Sequence, residues 1–502
     1  CELIRVETSR GPVQGFDHDF GNDTSKRFFG YGQLFLGIPY AKAPLGERRF
    51  TLPEDICKYN DRGEVHNATY YRPRCWHTLD LLTPADAMDE DCLYLNVMTP
   101  NISRKYPVMV YIHGGAFTTG GADIQHWKGA VRNLVSRGVV VVTIQYRLGL
   151  IGFFTTFTET FPPNRGLYDQ ILGLRWVKEE IANFGGDSNR ITIFGQSAGA
   201  TSVSDLSLSP LARGLFHQLI QMSGSALQQI ETIDDPRGSV HQARAEQKGR
   251  KVWNPVIDGA VLPDYPENLA KSRPKYPALI GDVQDDFALF IPGVMMGHIS
   301  NISRDSIKRF VQGAGTILDE DTAKNISTMM INGYSKGAPP ADSDHLGWAK
   351  LMSDMRNGLQ SHKLLIQFLV CRHRKAGNED VWLFTFAHRS LLSFNLEVDG
   401  WMPIAHCSEL PYLWFYPNKW DTYNASDADL IVADNMGMLW TDFAKNGKIS
   451  FPRVENAMNY VEIKEKISHK TKWRLEANKV FNEQIPEYLG VEYPPLKMSD
   501  ES

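Results

Sequence analysis

Ser197 is the side chain in this sequence with the clearest capacity for chemistry. It sits at the centre of Gly195-Gln196-Ser197-Ala198-Gly199, directly after the apolar, β-branched run Ile191-Thr192-Ile193-Phe194. A strand that empties into Gly-x-Ser-x-Gly and restarts as a helix lifts the hydroxyl clear of the backbone. The helix start then aims N–H groups at developing negative charge. Gly-x-Ser-x-Gly alone is common in turns; the strand in front of it is what points to a nucleophile. A second strand-to-glycine junction, Val108-Met109-Val110-Tyr111-Ile112-His113-Gly114-Gly115-Ala116, could bring bare backbone amides beside a substrate oxygen. Together the two segments fit acyl transfer, in which a hydroxyl attacks a carbonyl and amide protons hold the oxyanion. Such a hydroxyl needs a base, and all 14 histidines compete for that role.

Both segments must ride on elements that end at a common edge. Apolar runs predict strands at 108–112, 139–144, 191–194, 217–222, 278–280 and 381–387. The runs near 139 and 191 are continuously apolar, as in strands covered on both faces. Ile171, Leu172, Leu174, Trp176, Val177, Ile181 and Phe184 fall at helical spacing, so a crossover helix is expected over 170–184. Alternating strands and helices imply an α/β architecture, a mostly parallel central sheet with helices on both faces. Ligands of such sheets bind beyond the carboxyl ends of the strands, where both glycine junctions lie.

The bulk properties narrow the classes. Across 502 residues no linker, repeat or low-complexity tract divides the chain, so a single domain over 1–502 is expected. An apolar fraction of 42% with 22% charged residues is that of an ordinary globular protein. A net charge of −5 without a basic run argues against a nucleic-acid partner. The apolar runs are strand-length, too short for a membrane span. No His/Cys cluster has zinc-ligand spacing and no glycine-rich phosphate loop is present, so neither a metal nor an organic cofactor is expected. Oligomeric state is not legible.

Several separate blocks resemble the carboxylesterase/cholinesterase family of α/β-hydrolases, in that family's order. They are Phe35-Leu36-Gly37-Ile38-Pro39-Tyr40-Ala41, Glu90-Asp91-Cys92-Leu93-Tyr94-Leu95-Asn96-Val97 and the His113-Gly114-Gly115 loop. Tyr146-Arg147-Leu148-Gly149, Gly166-Leu167-Tyr168-Asp169-Gln170, Phe184-Gly185-Gly186-Asp187 and the serine turn follow. Gln196 and Ala405-His406-Cys407-Ser408-Glu409-Leu410 resemble nematode members in particular. The resemblance implies an α/β-hydrolase fold and a serine esterase acting on small-molecule carboxyl esters through an acyl-serine. His406 is then the catalytic histidine and Asp286 the acid, with Asp285 as the alternative. Gly115, Ala116 and Ala198 are the oxyanion N–H donors, and Ser223 supports the triad from behind. The resemblance also pairs Cys75 with Cys92, leaving Cys1, Cys57, Cys371 and Cys407 unassigned.

Departures from the family pattern raise questions of their own. The acid position, usually glutamate, holds Asp286, whose carboxylate sits roughly 1.5 Å further back. Ala116 replaces a third loop glycine, and Gln196 replaces a glutamate beside the serine. Leu82 stands where the choline-binding tryptophan of cholinesterases would lie, and Trp76 is at the wrong end of that loop. Uncharged esters are therefore expected over choline esters. The segment 226–252 is shorter than expected for a helical rim, which would widen the entrance. A catalytically silent, neuroligin-like adhesion protein on the same fold is the other class, disfavoured because Ser197, Asp286 and His406 are all present. Sequons at Asn22, Asn67, Asn101, Asn301, Asn325 and Asn424, with the cysteine pair, make secretion or the secretory-pathway lumen the expected location.

Overall fold

The computed structural model describes residues 2–60, 62–77, 87–226, 253–314, 319–365, 380–393, 397–455 and 457–490. The chain forms two compact units. One comprises Cys1–Leu279, Tyr412–Asn418 and Ala433–Ser450; the other comprises Ile280–Pro411, Lys419–Val432 and Phe451–Ser502.

The first unit is built on strands β1 (Leu3–Thr8), β2 (Gly11–Asp19), β3 (Tyr31–Pro39), β4 (His66–Asn67), β5 (Arg74–Cys75), β6 (Met88–Asp89), β7 (Tyr94–Thr99), β8 (Tyr106–Ile112), β9 (Val140–Ile144), β10 (Gly186–Gln196) and β11 (Gln218–Met222). Their order is β1-β2-β3-β7-β9-β8-β10-β11, with β4 beside β2 and β5-β6 apart. At the centre β9, β8, β10 and β11 run parallel, whereas β1, β2, β3 and β7 pair antiparallel. Every residue of β9 is buried, as its unbroken Val-Val-Val-Thr-Ile run requires.

From β8 the chain moves to β9 on one side, then returns to place β10 on the other. The β8/β10 junction is thus the topological switch point of this sheet, the place where such folds open a crevice. The glycine loop after Ile112 and the serine turn after Gln196 both leave from it.

The crossover helix runs over Arg165–Glu180 and tightens into a 3-10 turn, Ile181–Phe184. It starts five residues before the expected 170 because Arg165 is buried, its guanidinium donating to the Ile151 and Leu150 carbonyls at 2.8 and 3.2 Å. An inward-facing arginine breaks the apolar pattern from which the start was inferred. The helix also carries Asp169, fully buried and bonded to Arg147 through Nε at 2.8 Å and Nη2 at 2.7 Å. The Arg147 N–H donates to the same carboxylate at 3.0 Å.

The second unit carries β12, which begins in the first unit (Ala278–Val283), then β13 (Val381–Phe386), β14 (Tyr460–Ile463) and β15 (Ser468–Lys470). β13 and β14 pair parallel and β14 and β15 antiparallel. Ile307, Met330, Trp348, Met355, Trp401 and Val480 share one buried cluster, formed largely by helices Arg304–Ala314, Glu320–Ser335 and His345–Leu365. Among the described residues no helix is long and apolar enough to cross a membrane.

Candidate active site

The serine turn is sterically compelled. A Cβ on Gly199 would lie 2.0 Å from the Ile112 carbonyl oxygen, so only glycine lets the elbow helix (Ala198–Leu208) start this close to β8. Gly114 is equally constrained: its Cβ would meet the Gln196 carbonyl oxygen at 2.5 Å and the Ser197 Cβ at 3.1 Å. Ser197 itself adopts φ 57°, ψ −125°, a conformation L-residues rarely hold. Its N–H donates to the Met222 carbonyl at 2.8 Å, so the end of β11 holds the turn in place. Ser197 remains part-exposed while the residues on either side are buried. Ser223, the next residue after Met222, is also at positive φ (57°) and buried.

The loop after β8 is held by another of the blocks that carried the family resemblance, Tyr146-Arg147-Leu148-Gly149. Tyr146 stacks on His113, ring centroids 4.4 Å apart, and its hydroxyl donates to the His113 carbonyl at 2.8 Å. Gly149 donates to the Phe117 carbonyl at 2.7 Å. Between these fixed points, the N–H groups of Thr118 and Thr119 donate to the Gly115 carbonyl at 3.0 Å. Burial pushes the His113 imidazole down to about 4, leaving it neutral. Ala116 sits at φ 56°, so its methyl group is kept in a left-handed conformation. Ala198 is the first residue of its helix, where a backbone N–H has no intrahelical acceptor.

In the second unit Asp286 and His406 meet. The Asp286 Oδ1 contacts the His406 Nδ1, and the His406 N–H donates to the Asp286 carbonyl at 3.2 Å. Both side chains are buried. Burial opposes protonation of the imidazole, but the Cys407 thiol and the Asp286 carboxylate outweigh it and hold His406 well above 6.5. The shorter aspartate therefore reaches its histidine, because the backbone approaches as well. Asp285 does something else: its Oδ2 accepts the Ile404 N–H at 2.8 Å.

Two further residues stand near this pair: Asn357, which no local pattern singles out, and Glu409, which belongs to the block that carries the family resemblance. Buried Asn357 brackets the acid, donating to the Gln284 carbonyl at 2.9 Å and accepting the Phe287 N–H. Its helix lies some seventy residues downstream, so no local pattern could have revealed it. Glu409 is buried, and neither carboxylate oxygen has a hydrogen-bond partner among the described residues. Burial pushes that carboxyl up to about 7, with His406 lowering it and Asp286 raising it. The Phe290 ring packs against the imidazole at 5.1 Å.

Cys75 and Cys92 form a disulfide, and Cys57 and Cys407 are free; Cys1 and Cys371 lie outside the described residues. So do Leu82 and nearly all of 226–252. Asn22, Asn67, Asn301, Asn325 and Asn424 are exposed, whereas Asn101 is part-exposed.

The model of the carboxylesterase family matches residues 2–252 and 240–493. Human cocaine esterase is 31% identical over 468 residues, covering 83% of this chain and 79% of that protein. Mouse pyrethroid hydrolase Ces2a is 30% identical over 505 residues, 91% and 87% of the two chains. Gut esterase 1 of the nematode Caenorhabditis briggsae is 37% identical over 310 residues, 55% and 53% of the two chains. This chain belongs to the carboxylesterase family, with its α/β-hydrolase fold, and is a carboxylic-ester hydrolase.

Proposed function

We propose that Ser197 is the acyl-accepting nucleophile, His406 its general base and Asp286 the acid that orients the imidazole. The observation that carries this reading is the buried Asp286–His406 contact, together with a serine held at positive φ in a glycine-locked turn. The turn and the acid–base pair each stand on their own local geometry; that they serve one carbonyl is the proposal. Asp286 on Nδ1 fixes the tautomer that leaves Nε2 free to accept a proton. Ser197 Oγ attacks the ester carbonyl as His406 takes its proton, and the N–H groups of Gly115, Ala116 and Ala198 receive the oxyanion. His406 then protonates the departing alcohol. Water, deprotonated by the same imidazole, releases the acid from the acyl-serine.

The substrate class we infer is uncharged carboxyl esters. Cholinesterases hold a quaternary ammonium against an indole, and Leu82 offers none. The relatives named above are hydrolases by name, which supports catalysis over a silent binding role. We also take the chain as one functional domain over 1–502 with a shortened rim near 226–252. The disulfide and exposed sequons support a secretory route for it.

Steady-state hydrolysis of a neutral aryl ester and of a choline ester, for the wild type and Ser197→Ala, tests both halves. Aryl-ester turnover should exceed choline-ester turnover and vanish in the variant. A Ser197→Ala protein that hydrolyses at the wild-type rate would remove Ser197 from the mechanism. Preferred choline-ester turnover would overturn the substrate class alone.

A further inference from the structure

The turn that carries the proposed acid is gripped by a single guanidinium. Arg474 stands just before the short helix Leu475–Lys479, and its Nη2 donates to the Val283 and Gln284 carbonyls, each at 3.1 Å. The same guanidinium pairs with buried Asp282, through Nη2 at 3.0 Å and Nε at 3.2 Å. Asp282 is fixed in turn: its Oδ1 accepts the Thr385 hydroxyl of β13 at 2.9 Å, and the Trp473 indole N–H donates to that hydroxyl oxygen at 2.8 Å. Asn357 adds a further donor to the Gln284 carbonyl at 2.9 Å. The Gln284 and Asp285 N–H groups donate to the Phe386 and Ile404 carbonyls at 2.9 and 3.0 Å. The backbone between the end of β12 and Asp286 is thus pinned through both its donors and its acceptors, and every group that pins it lies in the second unit. An ion pair serving stability alone would engage only Asp282. Here the charged donor is shared with two consecutive carbonyls of the chain leading into Asp286.

We propose that Arg474 is a positioning residue for ester hydrolysis, its guanidinium setting this turn so that an aspartate, and not the longer glutamate, meets the His406 imidazole. The Asp286 Oδ1 contacts the His406 Nδ1 while the Asp286 carbonyl accepts the His406 N–H at 3.2 Å. A side chain with one methylene reaches the ring only when its backbone is drawn in, and the fixed Gln284 carbonyl lies close before that backbone. A glutamate on the same backbone would carry its carboxylate about 1.5 Å further, past the place where it bonds the imidazole. Without the guanidinium the turn loses its charged donor and the short carboxylate retreats. The imidazole then lacks the partner that fixes its tautomer and stabilises its cation. A misplacement of about 1 Å is on the scale that costs about 10²-fold in rate. Arg474 acts through Asp286, so the inference rests on Asp286 being the acid.

The test compares steady-state hydrolysis of a neutral aryl ester by the full-length protein, Arg474→Gln, Asp286→Glu and the Arg474→Gln/Asp286→Glu double variant. Rates are referred to folded protein, read from near-ultraviolet circular dichroism. In each single variant kcat should fall by about 10²-fold, with KM within about twofold of the wild type. The double variant should turn over about 10-fold faster than Arg474→Gln, because the longer side chain spans the gap that the freed turn opens. Such compensation is a readout that a purely structural ion pair would not produce. Removing the guanidinium leaves Asp282 buried and uncompensated; should that weaken the fold, Asp282→Asn is added to both 474 variants and the same ratio is read. A wild-type kcat in Arg474→Gln would overturn the proposal. So would an Asp286→Glu protein as fast as the wild type, or a double variant no faster than Arg474→Gln. An Asp286→Ala protein with full turnover would instead remove the acid assignment itself, an outcome that does not involve Arg474.

Discussion

Replacing Glu409 by glutamine should change how stability depends on pH, in a direction set by burial. Glu409 is 1% exposed, and burial raises its carboxyl from 4.5 to about 7. At roughly 1.4 kcal/mol per pH unit, that displacement amounts to about 3 kcal/mol. The folded-state value is the higher one. Below 4.5 both states are protonated and the residue costs nothing; between 4.5 and about 7 only the unfolded chain ionises, so stability is lost as pH rises. Above about 7 the penalty is complete and constant. Glutamine cannot ionise and should not pass through this window. Urea unfolding followed by tryptophan fluorescence, for both proteins from about pH 4.5 to about pH 8, reads the difference directly. The wild type should lose about 3 kcal/mol relative to Glu409→Gln across that range. A difference that stays flat with pH would refute the argument, since it would mean Glu409 ionises as freely folded as unfolded.

Other expectations concern the proposed relay and its supports. Ala116→Gly removes a methyl group from a left-handed residue and should raise stability by roughly 1 kcal/mol, read as a higher thermal midpoint. Asn357→Ala withdraws both hydrogen bonds that bracket Asp286, so kcat should fall by about 10²-fold with little change in KM, whereas a fall in KM with an unchanged kcat would contradict a positioning role. Because Cys407 and Asp286 together hold His406 above 6.5 and only the neutral imidazole accepts a proton, the ascending limb of kcat/KM against pH should lie on the alkaline side of 6.5.

The parts of this molecule that could be read from sequence are those in which local pattern and local physics coincide. The buried parallel strands announced themselves as unbroken β-branched runs, and β9 matches its expected span to within one residue. The elbow was legible because two glycines flank a serine directly after an apolar strand, a local pattern, although the close approach of Gly199 to Ile112 that requires the glycine is tertiary. The antiparallel strands β1 to β3 were not anticipated: β1 and β2 mix polar residues on partly exposed faces, and β3, though largely buried, is interrupted by Gly32, Gln33 and Gly37. In the second unit β14 and β15 are short and partly exposed, and they too carried no clear pattern. The acid was assignable only by resemblance: nothing in Gln284-Asp285-Asp286 says which carboxylate turns to a histidine 120 residues away. That choice rests on tertiary contacts, with Ile404 taking Asp285 and Asn357 bracketing Asp286. Glu409 was visible as a family residue but its burial was not, because a carboxyl inside a core looks in sequence like any surface glutamate.

The most direct measurement is the rate at which a fluorophosphonate probe labels the protein, with the adduct mapped to its residue, in the wild type and in His406→Ala. The account predicts a single adduct on Ser197, formed about 10²-fold or more slowly once the imidazole is gone. Labelling of a different residue, or equal rates in the two proteins, would contradict it.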